Sequence, residues 1–151
     1  MEKTLRLFVV FAVVLFAIYY FRGREALVPV EITASARLAD QTLSVAGTTS
    51  LEDGAILLYE VFPEAEEMRL VTGRTTVANG RFVATINVGD LAGHDLRVRL
   101  IFQVALEHDP QPPAVILRYG VFGQYLTGEL VVERAIGRRA ELVVTAAAEV
   151  R

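Results

Sequence analysis

Between Leu96 and Leu106 every second residue is apolar. Leu96, Val98, Leu100, Phe102, Val104 and Leu106 fall on one side, while Arg97, Arg99, Gln103 and the following Glu107 fall on the other. A helix would scatter these residues round its axis. A period of two over that length specifies a strand with one face on a core and the other in water. Arg81–Val88 repeats the pattern, with Phe82, Ala84, Ile86 and Val88 inward. Leu43 and Val45 alternate with Thr42, Ser44 and Ala46, and Ala55–Phe62 forms a strongly apolar run. Leu130–Arg134 and Glu141–Val150 read as two more strands, joined at Gly137.

Turn signals separate these strands. Asn79-Gly80 suits a two-residue hairpin turn, whose central positions both need positive φ, so Met68–Ala78 and Arg81–Val88 are expected to pair as a hairpin. Ser50 to Gly54 reads as a turn, and 63–67 and 89–93 read as polar loops. Three prolines in His108-Asp109-Pro110-Gln111-Pro112-Pro113 predict an exposed extended link, and Ala114–Tyr119 fits either a strand or a turn of helix. About eight short strands with regularly spaced turns predict an all-β domain over 26–151, an antiparallel Ig-like β-sandwich. The absence of helix–strand alternation argues against a parallel α/β sheet.

The first 25 residues differ in kind. Leu7 to Phe21, LFVVFAVVLFAIYYF, is an unbroken apolar run of 15 residues with Lys3 and Arg6 before it and Arg22 and Arg24 after it. A membrane span needs about 17–25 residues. Leu5 and a snorkelling Arg6 bring the run to the lower limit. Small residues at the spacing a signal peptidase requires are lacking around Gly23 and Ala26, and Tyr19 and Tyr20 suit an interfacial aromatic belt. Residues 1–25 are therefore expected to form an uncleaved N-terminal hydrophobic helix, contacting the membrane through residues 5–21. The charged amino terminus favours the cytoplasmic side, which puts the domain on the extracytoplasmic side of the cell membrane, attached by a single pass.

Composition removes several function classes. The chain has no cysteine, which excludes lipid acylation at cysteine, thiol catalysis and cysteine-ligated zinc. From Ala26 onward there are 11 Arg against 16 Asp and Glu, a balance of −5 that argues against nucleic acid as a partner. His94 and His108 flank the long strand, about 45 Å apart at about 3.3 Å per residue, too far to share a metal. Ser35 and Ser44 lie in predicted strands and Ser50 opens a turn, so no nucleophile elbow arises. The acidic pairs Glu52-Asp53 and Glu64, Glu66, Glu67 sit in turns, where solvation accounts for them. No catalytic residue, cofactor site or metal site is expected.

One segment attracts a functional reading. Tyr119–Gly128, YGVFGQYLTG, gathers Tyr119, Phe122 and Tyr125 among glycines. Such rings on a loop can form a binding surface. They can equally cap the end of a sandwich while the glycines permit tight turns.

The stretch Val45 to Leu57, VAGTTSLEDGAIL, resembles the G-T-T-N-L-P-D-G-T-x-L opening of small bacterial surface and secreted β-sandwich domains. Gln111-Pro112-Pro113 and Leu126-Thr127-Gly128-Glu129-Leu130-Val131 are similar to elements that accompany that opening. The likeness spans roughly residues 30–148, with Ser50 and Glu52 standing where the pattern has Asn and Pro. It implies an Ig-like fold outside the cytoplasm and carries over no functional residue. The chain is thus expected to be a membrane-tethered, non-enzymatic interaction or structural module that meets another envelope protein or a cell-wall component. The alternative is a small-ligand or carbohydrate-binding domain using the 119–128 loop.

Overall fold

The computed structural model describes residues 26–64 and 71–148. The expected membrane helix of residues 1–25 and the first residues of the expected strand at Met68 lie outside them. Among the described residues no helix is long and apolar enough to cross a membrane.

Among the described residues ten strands follow in chain order: β1 (Val28–Pro29), β2 (Ile32–Ala39), β3 (Thr42–Thr49), β4 (Ile56–Pro63), β5 (Val71–Thr76), β6 (Arg81–Asn87), β7 (Leu96–Gln103), β8 (Leu126–Thr127), β9 (Val131–Arg134) and β10 (Gly137–Ala148). Among the described residues one α-helix, α1 (Pro113–Tyr119), lies between β7 and β8, and a 3₁₀ turn at Gly89–Gly93 leads into β7. The main sheet has the order β5-β4-β7-β10-β2-β3-β6, with β9 added to β10 as a hairpin. Its two outermost strands, β5 and β6, approach each other, so the sheet curls nearly into a barrel. The Thr75 hydroxyl donates to the Val83 carbonyl oxygen at 2.7 Å across that gap.

The alternation read from the sequence governs what fills this barrel. Leu96, Val98, Leu100 and Phe102 of β7 are buried, as are Phe82, Ala84 and Ile86 of β6, Leu43 and Val45 of β3, and Leu57 and Val61 of β4. They form one continuous core with Val115 and Tyr119 of α1 and with Leu126. Ile101, on the opposite face of β7, is buried as well. It stands between Leu58 of β4 and Glu141 of β10 in a four-strand stretch of sheet, so neighbouring side chains cover it. On β5, Gly73 faces Tyr59 of β4, and the phenol lies where a β-carbon would project, 2.2 Å from its hydroxyl oxygen. The glycine admits the ring at the end of the sheet.

Three expectations are corrected. The sheet is mixed rather than antiparallel. β10 and β2 run parallel, with Ala146–Ala148 opposite Ala36–Leu38, and β1 and β8 also pair parallel. Strands from opposite ends of the domain have no short loop to force them antiparallel. Second, β5 and β6 are not a paired hairpin. Asn79 and Gly80 do form the tight turn, with φ of 52° and 68°, and Ala78 and Arg81 exchange both backbone hydrogen bonds. Beyond that one bridge the arms part, β5 to β4 and β6 to β3. Val77 anchors the parting: it is buried and bonds through its backbone to Ala55 and Gly54. Third, 108–113 is not simply an exposed link. Pro113 is the first residue of α1, where its missing N–H is no loss, and Gln111 is wholly buried.

Candidate functional site

The registers put the starts of β2, β4, β6 and β10 and the ends of β3, β5 and β7 at one end of the barrel. This proximal end also receives the chain from residues 1–25. Residue Val28 is fixed there by its N–H bond to the Tyr125 carbonyl oxygen, 2.7 Å. The candidate segment 119–128 meets the chain at this end, where β8 pairs with β1.

Its three aromatic residues have separate fates. Tyr119 is fully buried, its ring edge-on to Phe102 at 5.2 Å between centroids. Its hydroxyl accepts a hydrogen bond from the Glu52 N–H, 3.0 Å, which pins the β3–β4 turn to α1. Burial pushes this phenol above its ordinary pKa, against the opposing pull of that hydrogen bond and of the Arg118 charge. Arg118 in turn pairs with Glu52 at 2.7 Å. Phe122 is 55% exposed, and Tyr125 is half-buried. Tyr119 is therefore committed to the core, and Phe122 and Tyr125 retain exposed surface. Between them the backbone is tightly held. Gly123 has φ of 67° and its α-carbon hydrogens face the Arg138 carbonyl, where a β-carbon would stand 2.4 Å from the oxygen. The Arg138 N–H donates to the Phe122 carbonyl, 3.0 Å, tying the turn to β10.

Gln111, expected in an exposed link, is instead a buried structural residue. β4 and β7 pair from Pro63↔Leu96 to Leu58↔Ile101 and then diverge. The next rung would set Ile56 against Gln103. The Gln111 amide fills the widening gap: its oxygen accepts from the Ile56 N–H at 2.8 Å, and its nitrogen donates to the Ile56 and Gln103 carbonyls at 2.8 and 3.0 Å. A side-chain amide takes the place of a strand peptide. Its one outward sign in the sequence is a glutamine fixed between prolines.

The outer face of the β5-β4-β7 sheet carries a broad open depression of about 570 Å³, lined by Leu58, Glu60, Arg74, Gln103 and His108 among others. A smaller one of about 270 Å³ adjoins it through Gln103 and Ile136 and faces Arg134, Arg138 and Arg139. Three charged groups of the larger depression, Glu60, Arg74 and Asp109, are paired. Glu60 pairs with Arg99 at 3.2 Å, and Arg74 pairs with Asp109. On the neighbouring hairpin Glu141 meets Arg139 and Arg134. Burial draws the Glu141 carboxyl upward, but the two guanidiniums outweigh it and hold the group below its ordinary value.

His94 follows the 3₁₀ turn before β7, and His108 lies beyond the other end of that strand. Among the described residues no three His, Asp or Glu side chains cluster in a way that could hold a metal ion. Ser35 and Ser44 sit in β2 and β3. Ser50 accepts a hydrogen bond from the Glu31 N–H, 2.9 Å, and Asp53 accepts from the Gly80 N–H, 3.1 Å, so both serve turns. Among the described residues every buried side-chain nitrogen and oxygen has a partner.

No protein-family model matches the sequence, and a search of curated proteins finds no relative.

Proposed function

We propose that the chain is a membrane-tethered, Ig-like module of the cell envelope, held by residues 5–21, that acts outside the cytoplasm by contact rather than by catalysis. The observation that carries the Ig-like reading is the strand order. A four-strand half, β5-β4-β7-β10, and a three-strand half, β2-β3-β6, enclose one core and meet along the parallel β10–β2 seam. The two strands around the Asn79-Gly80 turn belong to different halves, as the crossing connections of a Greek-key sandwich require. The GTTSLEDG and LTGELV stretches, which lie at the β3–β4 turn and from β8 into β9, add the likeness to bacterial surface domains.

The non-enzymatic reading is supported by how polar groups are spent. The Tyr119 hydroxyl, the Gln111 amide and the Glu60–Arg99 pair are each tied to a structural partner. Hydrolytic or transfer chemistry needs such groups aimed at a shared space. The small-ligand alternative is better supported at the 570 Å³ depression than at 119–128, because Tyr119 is committed to the core.

Expression of the full chain in a bacterium tests the proposal. It should remain with membranes after a high-salt wash and keep its N-terminal segment. Because the chain has no cysteine, a Gln41→Cys variant at an exposed turn should react with a membrane-impermeant maleimide in intact spheroplasts. Recovery in the soluble fraction with an N-terminus at Ala26 would overturn the tether, and labelling only after lysis would overturn the orientation.

A further inference from the structure

Seven large hydrophobic side chains are exposed among the described residues, and five of them belong to segments at the proximal end: Leu27, Leu117, Val121, Phe122 and, in the β9–β10 turn beside the outer depressions, Ile136. The other two, Val83 and Val143, stand on strands β6 and β10. Leu27 immediately precedes Val28, which bonds to Tyr125. Phe122 lies against Gly137, the neighbour of Ile136. Leu117 lies in the last turn of α1, and Val121 follows Gly120 just past the end of that helix. Leu117 is 81% exposed, unusual for a leucine on a packed helix. The Val121-Phe122 tip turns between Gly120 and Gly123, both at positive φ, and is held to β10 by the Arg138 N–H bond to the Phe122 carbonyl.

We infer that this end of the barrel rests on the bilayer that holds the leader, with the Val121-Phe122 tip in the interfacial layer. The inference depends on the tether proposed above. Chain length commits the surface to lipid. From Phe21, the last residue of the apolar run, to Val28 is seven residues, at most about 24 Å when extended. The proximal end therefore cannot leave the neighbourhood of the membrane surface. A few side chains would bind lipid weakly in free solution, but a short tether raises their effective concentration at the surface to about the millimolar range. An apolar side chain in this position sits about 5–10 Å into the headgroup boundary. The nearby guanidiniums suit that depth. Arg138 reaches the Gln124 and Leu126 carbonyls beside the tip, and Arg118 borders Leu117 with its neighbour Glu52 already neutralising part of its charge.

Single cysteines in the full chain test this. Phe122→Cys and Gln41→Cys, the latter at the opposite, distal end, each carry an environment-sensitive fluorophore. The protein is reconstituted in phosphatidylcholine vesicles with a nitroxide near the headgroup. The vesicles are floated in high salt before reading. The probe at 122 should shift to the blue and lose fluorescence to the nitroxide, while the probe at 41 should do neither. Flotation with equal quenching at both positions overturns this inference and leaves the tether standing. Failure to float overturns the tether and the inference with it. A blue shift at 122 that grows with protein concentration and resists the nitroxide assigns the patch to a second copy of the chain, which also overturns it.

Discussion

Replacing Gln111 by methionine keeps the length and flexibility of the side chain and removes its amide. Three hydrogen bonds disappear, at 2.8, 2.8 and 3.0 Å, and the site is 1% exposed, so water cannot replace them without opening the barrel. An unpaired buried N–H costs about 1–3 kcal/mol, and lost bonds to the two carbonyls add roughly 0.5–1.5 kcal/mol each before any gain from burying the thioether. The expected loss is about 3 kcal/mol, a large share of the 5–15 kcal/mol a domain of this size typically has. Urea unfolding of residues 26–151 reads it directly. With a slope of about 1.5 kcal/mol/M the midpoint should fall by roughly 2 M at unchanged slope. Amide exchange gives a local check, since the Ile56 N–H should lose protection ahead of its β4 neighbours. A loss under about 0.5 kcal/mol, the scale of an ordinary surface change, with Ile56 still protected, would refute the idea that this amide replaces a rung between β4 and β7.

Phe102→Ala should cost about 3–5 kcal/mol, because the ring is fully buried against Tyr119 and its removal leaves a cavity; calorimetry or urea unfolding measures it. Tyr119→Phe keeps the ring and leaves the Glu52 N–H without its acceptor, so a smaller loss of about 1–2 kcal/mol is expected by the same assay. The raised Tyr119 pKa adds a pH dependence. The folded state holds that proton more tightly than the unfolded one, so its contribution is whole below about pH 10 and declines as pH rises through the folded value. Tyr119→Phe should flatten the alkaline arm of a stability–pH profile. Glu141 acts in the opposite sense. Its lowered pKa contributes stability above the ordinary carboxylate range that is lost as pH falls through the folded value, and Glu141→Gln should remove that part of the acid arm.

The strand faces were legible in the sequence because burial follows a period of two whatever the partner strand is. Phe102 and Ile86 face the core as their spacing requires, and Asn79-Gly80 makes the turn its residues favour. Partner choice was not legible. Nothing in the alternation of β5 or β6 says that they pair outward, to β4 and β3, rather than with each other. The parallel seam joins residues more than 100 positions apart, beyond any local signal. Gln111 was hidden for a related reason: prolines around it read as solvent-exposed chain, and only the divergence of β4 from β7 creates a buried space that an amide fills. Of the candidate rings, composition marked all three alike, and the structure separates a core residue, Tyr119, from an exposed one, Phe122.

The seam between β10 and β2 bears on how the domain would carry load. β2 begins at the proximal end and β10 finishes at the distal end, and the two lie side by side. Under the proposed tether, a pull between the start of β2 and the end of β10 draws the two strands in opposite directions along their common axis. The rungs at Ala36–Leu38 are then sheared together instead of peeled one by one. Rupture under force is governed by the rate of crossing the unfolding barrier, so this arrangement sets mechanical endurance separately from thermodynamic stability. Pulled from both ends, the domain should yield first where its earliest and latest strands meet.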